Sequence, residues 1–446
     1  MAAHRKQFNQ GYMLMISFIA AMGGYLFGFD FAVISGALPF LKVQFGLDEY
    51  WEGFATASLA LGCVIGCIAA GKIAEVYGRK KALLTAAAIF LLSSIAMGLS
   101  NQLTLFITAR FFAGIGVGMA SVVSPMFIAE ISPAAVRGKM VAINQLTIVT
   151  GILVTNLVNY SLSGNGINAW RWMFGLGAVP SSLFLIGTFF LPESPRWLIS
   201  RNRLTEARKV LSSIGNEDYV NTTMSSIEQS LAHSDKPKYK DLLSKAVLPA
   251  VLIGIGLAVF QQFCGINVVF NFTTSIFKTI GFSQEDQLKQ TVFIGAVNLV
   301  FTLLAMWQVD KLGRKPLMMF GATGLAVLYI FSAILLQQQS ANAAWFLLAA
   351  IGTYAMSLAP VTWVLISEIF PNRIRGIATS TAVVALWLSY ALLVFTFPIL
   401  AEKMGAYTPF YIYAGICVVG LFFIRFKVKE TKGKTLEQVE ASFAAH

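Results

Sequence analysis

Apolar runs of about twenty residues recur along the whole chain, parted by short breaks rich in Gly, Lys and Arg. A helix rises 1.5 Å per residue and needs about 20 residues to cross a bilayer core, so each run predicts one membrane-spanning helix. A porin-type barrel would show short alternating segments instead. Twelve spans are predicted, roughly 12–40, 51–71, 81–99, 103–128, 139–162, 172–191, 245–279, 287–310, 316–337, 341–366, 375–401 and 408–426. The longest must tilt or protrude. The one long polar stretch, about 192–245, contains Leu204 to Leu211, which reads as a short amphipathic helix. The expected organisation is an all-α polytopic membrane protein. It has a six-helix bundle over 1–191, a helical linker over 192–245, a second six-helix bundle over 246–428, and a tail over 429–446.

Composition agrees with this reading. Of 446 residues, 57% are hydrophobic and only 12% are charged, against about 25% charged in an average soluble domain. That excludes an ordinary cytosolic enzyme and a disordered chain. The net charge of +12 is explained by topology rather than nucleic acid. With the N-terminus placed in the cytoplasm, only Lys42, Arg171, Lys278, Lys289 and Lys403 fall on the outer side, and Arg110 falls inside a span. All other Lys and Arg are then cytoplasmic, as the positive-inside rule requires, so both termini are expected there. Cys63, Cys67, Cys264 and Cys417 all lie in apolar runs and form neither a disulfide framework nor a metal pattern.

The two halves repeat. Gly78-Arg79-Lys80 returns as Gly313-Arg314-Lys315, an offset of 235. Glu130-Ile131-Ser132-Pro133, followed by Arg137-Gly138, returns as Glu368-Ile369-Phe370-Pro371, followed by Arg375-Gly376, an offset of 238. Glu193 returns as Glu430, an offset of 237. A near-constant offset across six spans implies a duplicated unit whose copies share one orientation. That parallel repeat suits a transporter holding its substrate between the halves.

Eight stretches, in order, resemble the sugar porter family of the major facilitator superfamily. They are GKIAEVYGRKK (71–81), RFFAGIGVG (110–118), PMFIAEISPAAVRG (125–138), PESPRWL (192–198), QQFCGIN (261–267), DKLGR (310–314), PVTWVLISEIFPNRIRG (360–376) and ETKGKTL (430–436). Some positions depart from the family pattern: Glu75, Ala359, Leu386, Lys429 and the pair Asn271-Phe272. The resemblance implies a major facilitator fold and proton-coupled monosaccharide symport in the cell membrane. A passive uniporter is the alternative within transport, and a membrane sugar sensor is the alternative outside it. The expected partners are a monosaccharide, a proton and the bilayer, with no cofactor and no nucleic acid, and the chain is expected to be monomeric.

Only Asp30 and Arg110 are ionisable residues deep within a predicted span. Burying either alone in lipid costs at least ~2.5–3.5 kcal/mol, so they should face inward and meet. Counted from the span midpoints, both sit roughly 6–8 Å toward the outer side. The plain reading is a permanent structural ion pair, and the functional one is a proton-coupling pair. In the family, proton-coupled members carry Asp at this position.

Gln145, Gln261, Gln262, Asn267 and Asn298 put side-chain amides on apolar spans. An amide matches a sugar hydroxyl as donor or acceptor; the alternative role is interhelical bonding. By motif, all five match sugar-binding positions of the family. Trp363 and Trp387 match its pocket tryptophans, and Phe27 is a further candidate lining residue. An indole suits the apolar face of a pyranose. Pro360 is expected to break span 10 just before Trp363. At the cytoplasmic helix ends, Arg79, Glu130, Arg137, Asp310, Arg314, Glu368 and Arg375 make no catalytic constellation. The family reading is a gating network, in which Glu130/Arg137 and Glu368/Arg375, with Arg79 and Arg314, join the halves across the pseudo-two-fold axis while the cytoplasmic side is closed. No enzyme is expected: there is no G-x-x-x-x-G-K-[ST] phosphate-binding loop, and His4, His233 and His446 all lie outside the spans.

Overall fold

The computed structural model describes residues 8–232, 238–245, 247–371 and 373–432; the side chains of Ala232, Val309 and Asp310 are outside the description. Among these residues twelve helical spans are long and apolar enough to cross a membrane. They are span 1 (Gln10–Phe45), span 2 (Glu49–Tyr77), span 3 (Arg79–Leu99), span 4 (Leu103–Ile131), span 5 (Arg137–Leu162) and span 6 (Gly166–Phe190). The second set comprises span 7 (Leu248–Asn271), span 8 (Gln284–Gln308), span 9 (Arg314–Gln337), span 10 (Ala343–Ile369), span 11 (Arg375–Met404) and span 12 (Thr408–Lys427). Several helices run past the ends that hydropathy sets. Side-chain caps start them in the polar zone: Asn9 accepts from the Tyr12 N–H at 3.1 Å and Asp48 from the Trp51 N–H at 2.8 Å.

The packing is itself repeated. Span 1 packs on 5, 2 on 4 and 3 on 6; likewise 7 packs on 11, 8 on 10 and 9 on 12. Spans 2 and 4 approach closely because Gly62, Gly66, Gly114 and Gly118 face each other's helix, where a Cβ would overlap a backbone carbonyl. With no hydrophobic drive between helices in lipid, such small residues supply the close packing. The two sets of six meet along two seams, span 2 against span 11 and span 5 against span 8.

The equivalence reaches single atoms where spans 2–3 and 8–9 join. Gly78 and Gly313 turn these corners at φ +98° and +94°, a region that favours glycine. Glu193 Oε1 then accepts from the Arg79 N–H at 2.8 Å, and Glu430 Oε1 from the Arg314 N–H at 3.1 Å.

The 192–245 segment holds more helix than its sequence pattern indicates: Pro195–Ser200, Leu204–Ile214 and Glu217–Ala232, then a 3-10 turn over Tyr239–Leu243. Trp197, Leu198 and Ala207 form a small core of their own with Met224 and Ile227. The Trp197 indole donates to the Glu75 carbonyl at 2.8 Å, docking this linker on span 2. Its side of the bundle is called the linker end below.

Candidate functional site

A cavity of about 920 Å³ lies between the two sets of six spans, within the size range of small-molecule sites. It reaches Lys139 and Arg314, so it opens toward the linker end. The opposite end is shut by contacts between the sets. The Phe31 ring lies 5.6 Å from both Phe270 and Tyr390. Thr274 Oγ1 donates to the Ser35 carbonyl at 2.7 Å, and Asn156 Nδ2 to the Thr291 carbonyl at 2.7 Å.

A break in span 7 gathers the amides. The helix Leu248–Phe263 stops, Gly265 takes φ +85°, and a new helix runs over Ile266–Asn271. Gln261 and Gln262 thus end one piece while Asn267 begins the next, and all three line the cavity. Asn267 Nδ2 donates to Gln262 Oε1. Gln262 Nε2 donates to Gln261 Oε1 at 3.4 Å, and Gln261 Nε2 to the Ala359 carbonyl at 3.4 Å. Adjacent in sequence, Gln261 and Gln262 still both reach the cavity, because the helix is ending there. Gln145 lines it from span 5 and Asn298 from span 8.

Trp363, Trp387 and Phe27 all belong to the aromatic lining. Trp363 is 40% exposed and Trp387 only 3%, so the first presents the freer indole. The Phe27 ring sits 5.5 Å from Trp387, joining the two sets of spans. Span 10 breaks at Ser357, three residues before the expected Pro360. Pro360 lies in the first turn of Leu358–Ile369, where a missing N–H costs no helix bond.

Asp30 and Arg110 meet as expected. Arg110 Nη1 donates to Asp30 Oδ1 at 2.8 Å, and neither side chain has any exposed surface. Arg110 Nε donates to the Ala55 carbonyl at 3.1 Å, and the guanidinium carbon lies 5.5 Å from the Phe174 ring centroid. Asp30 Oδ2 and Arg110 Nη2 have no hydrogen-bond partner. The pair does not line the cavity; its neighbours on span 1, Phe27 and Phe31, do.

The charges at the linker end are arranged differently from the expectation. Arg79 holds Glu130 in a two-bonded pair at 2.7 and 2.8 Å, and Ser194 Oγ donates to Glu130 at 2.5 Å. Arg314 pairs with Glu368 at 3.3 Å, and Thr431 Oγ1 donates to Glu368 at 2.6 Å. Both pairs lie within one set of six spans, not across the axis. Arg137 reaches the Ser132 carbonyl at 3.5 Å, and Arg375 the Phe370 carbonyl at 3.0 Å. The side chain of Asp310 lies outside the described residues.

Glu430 lies beyond span 12. Burial would raise its carboxyl, but the N–H groups of Lys432, Arg314, Lys315 and Thr431 together hold it below the usual carboxylate range.

The family model described as "Sugar (and other) transporter" matches residues 16–443. The chain belongs to that family. The transporter is 37% identical to the D-xylose-proton symporter of Escherichia coli K12, covering 98% of this chain and 96% of that one. It is 39% identical to the glucose transport protein of Synechocystis, covering 97% of each. Among solved structures, the proton:xylose symporter XylE bound to 6-bromo-6-deoxy-D-glucose matches with a TM-score of 0.83 at 37% identity. That match covers 98% of this chain and all of the other. The inward-open xylose transporter XylE from E. coli matches with a TM-score of 0.85 at 36% identity, over 97% and 100% of the two chains.

Several buried residues of this transporter escape a reading by residue type. Phe31, Phe270 and Tyr390 line the cavity but look like ordinary apolar positions in sequence. Asn271 is legible only as a departure; its Oδ1 accepts from the Tyr390 hydroxyl at 3.0 Å. Glu52 is 3% exposed and pairs with Lys42 at 2.6 Å. It stands in the first turn of span 2, where hydropathy assigns charge to the water.

Proposed function

We propose that this member of the family carries a monosaccharide and a proton together into the cell by alternating access. The observation that carries the reading is the Asp30–Arg110 pair, wholly buried between spans 1 and 4, with Asp30 on the same span as cavity-lining Phe27 and Phe31. A buried carboxylate with one oxygen unpartnered has a place for a proton, and the proton removes its charge. Breaking a buried ion pair by losing one partner costs ~3–5 kcal/mol. Protonation of Asp30 therefore changes which packing of spans 1 and 4 is favoured, and the cavity wall rides on span 1.

The sugar is held by Gln145, Gln261, Gln262, Asn267 and Asn298, with Trp363, Trp387 and Phe27 against its apolar face. The amides lie on three spans of both halves, so a bound sugar bridges them. Relatives named as D-xylose-, arabinose- and glucose-transporting proteins support a pentose or hexose. The linker end is assigned to the cytoplasm because nearly all Lys and Arg outside the spans lie there. The cavity then faces inward. Residues 1–191 and 246–428 act as the two rocking bodies, 192–245 links them, 429–446 is the tail, and a monomer suffices. One charge crossing 100 mV is worth ~2.3 kcal/mol, or roughly 50-fold accumulation, and no nucleotide is needed.

Uptake into proteoliposomes tests this. With D-xylose, L-arabinose or D-glucose outside and an inward proton gradient, a symporter concentrates at least one sugar and alkalinises the medium. Equilibration without accumulation would mean a uniporter. Saturable binding without uptake would mean a sensor.

A further inference from the structure

The end of the cavity opposite the linker is closed by span 7's outer continuation, the short helix Thr273–Thr279. Two consecutive side chains of that helix bond to two different spans of the first set. Thr274, fully buried, donates from Oγ1 to the Ser35 carbonyl of span 1 at 2.7 Å. Ser275 donates from Oγ to Glu52 Oε1 of span 2 at 3.2 Å. Glu52 is buried, and its other oxygen, Oε2, accepts from Lys42 of span 1 at 2.6 Å. One carboxylate thus ties spans 1 and 2 to each other and both to span 7. Next to it, Gly53 lets span 2 touch the Phe395 carbonyl of span 11, where a Cβ would overlap it.

We infer that Thr274 and Ser275 form a two-point clasp, with the Ser35 carbonyl and Lys42-anchored Glu52 as its acceptors, that holds the outer side shut and sets how often the transporter opens outward. None of its groups is among the cavity-lining residues or belongs to the Asp30–Arg110 pair, so they are positioning residues for the gate. Opening the outer side separates the first set from span 7 and must break both bonds. The carboxylate stays paired with Lys42 within its own set, so it is not stranded when Ser275 leaves. A hydrogen bond to a charged group contributes more than one between neutral groups, which makes Glu52 the stronger of the two holds. This inference rests on the alternating-access reading but not on the identity of sugar or ion.

The test is cysteine accessibility, measured on purified protein without sugar or proton gradient. Thr155, buried one helical turn beyond cavity-lining Ile152 and away from the linker end, is replaced by Cys as the outer reporter. Ala142, which lines the cavity, is replaced by Cys as the inner reporter. The four native cysteines are buried, and their reaction with N-ethylmaleimide gives the background. Thr274→Val and Ser275→Ala should each speed labelling at position 155 by roughly 3- to 10-fold, and the double variant more. Ser275→Thr keeps a hydroxyl and should label as the parent does. A variant that misfolds speeds labelling at both reporters, whereas an opened gate speeds it at 155 alone. An unchanged rate at 155 in a folded double variant would overturn the clasp. Because no sugar is present, that outcome leaves the symport reading intact.

Discussion

Asp30 and Arg110 touch at 2.8 Å with no solvent on either side chain, yet both stand outside the wall of the cavity they adjoin. Span 1 separates two chemistries by its faces: Asp30 looks into the first set of spans, while Phe27 and Phe31 look into the cavity. The repeat sharpens this. Gly28 and Gly265 are 237 residues apart, and so are Asp30 and Asn267, each two residues beyond its glycine. One copy of the duplicated unit carries a titratable group at this position, and the other carries a cavity-lining amide.

Asp30→Asn should abolish sugar accumulation while leaving binding and exchange. The amide keeps the shape but cannot cycle a proton. Sugar uptake against its gradient, alongside counterflow without a gradient, separates the two. Accumulation at the parent's level would remove Asp30 from the coupling role. Arg110→Ala should impair coupling and also lower stability by ~3–5 kcal/mol, since it leaves a buried carboxylate unpaired.

Gln262→Ala removes the amide that accepts from Asn267 in the centre of the site. It should weaken the best sugar by ~1–3 kcal/mol, roughly 5- to 150-fold, read by titration calorimetry. Trp363→Ala should weaken most those sugars with an extended apolar face. Parent-like affinity in Gln262→Ala would place the sugar elsewhere.

Gly265→Ala tests the break that collects these amides. At φ +85° a side chain is strained by ~1–2 kcal/mol, and the new Cβ would also strike the Tyr413 ring. Thermal unfolding should fall and sugar affinity should weaken together. Unchanged affinity in a folded Gly265→Ala would mean that the span 7 break does not set the pocket.

The parts of this site that could be read in advance are those where lipid makes chemistry conspicuous. Asp30, Arg110 and the amides stand out because a polar group in hydrocarbon needs a reason. Glu52 was hidden by its place near a span end, where charge is ordinary. Its burial comes from the outer helix of span 7, far away in sequence. The linker-end charges were legible as a set but not as partners. Spacing placed Glu130 with Arg137, whereas the fold brings Arg79 across from span 3. Pro360 marked a break in span 10, but the chain breaks at Ser357 and uses the proline to begin the next helix.

Glu430 gives a pH test at the linker end. Its carboxyl is held below the usual range by backbone N–H groups, despite burial. A carboxyl whose folded pKa is depressed contributes stability above its unfolded pKa and loses it as pH falls through the folded one. The Arg314 and Lys315 amides, which donate to it at 3.1 and 3.0 Å, should therefore stay protected from hydrogen exchange through about pH 4.3, the ordinary Glu value. Protection should fail only below that. Glu430→Gln should remove the pH dependence; protection lost at the ordinary value in the parent would contradict the bonding.

The two ends of the bundle should oppose each other in one equilibrium. Glu130 and Glu368 both lie at the linker end, each held by an arginine of its own set. In the proposed gate, closing the mouth brings these clusters toward each other across the pseudo-two-fold axis and gives each carboxylate a second cationic neighbour. Glu130→Gln with Glu368→Gln should therefore disfavour the closed mouth. A loss of ~1–2 kcal/mol cuts the outward-facing population roughly 5- to 30-fold. Apparent affinity for external sugar falls by the same factor, because it scales with the competent fraction, while binding from the linker side is unchanged. Thr274→Val with Ser275→Ala pushes the other way by weakening the outer clasp. The two pairs lie at opposite ends and share no partner, so their effects should add. The quadruple variant should then recover external affinity toward that of the parent, although each pair alone departs from it in opposite directions. The half-saturating external sugar concentration in right-side-out vesicles reads this. If the quadruple variant is no better than Glu130→Gln with Glu368→Gln alone, the linker-end charges serve helix-end packing and topology, not the gate.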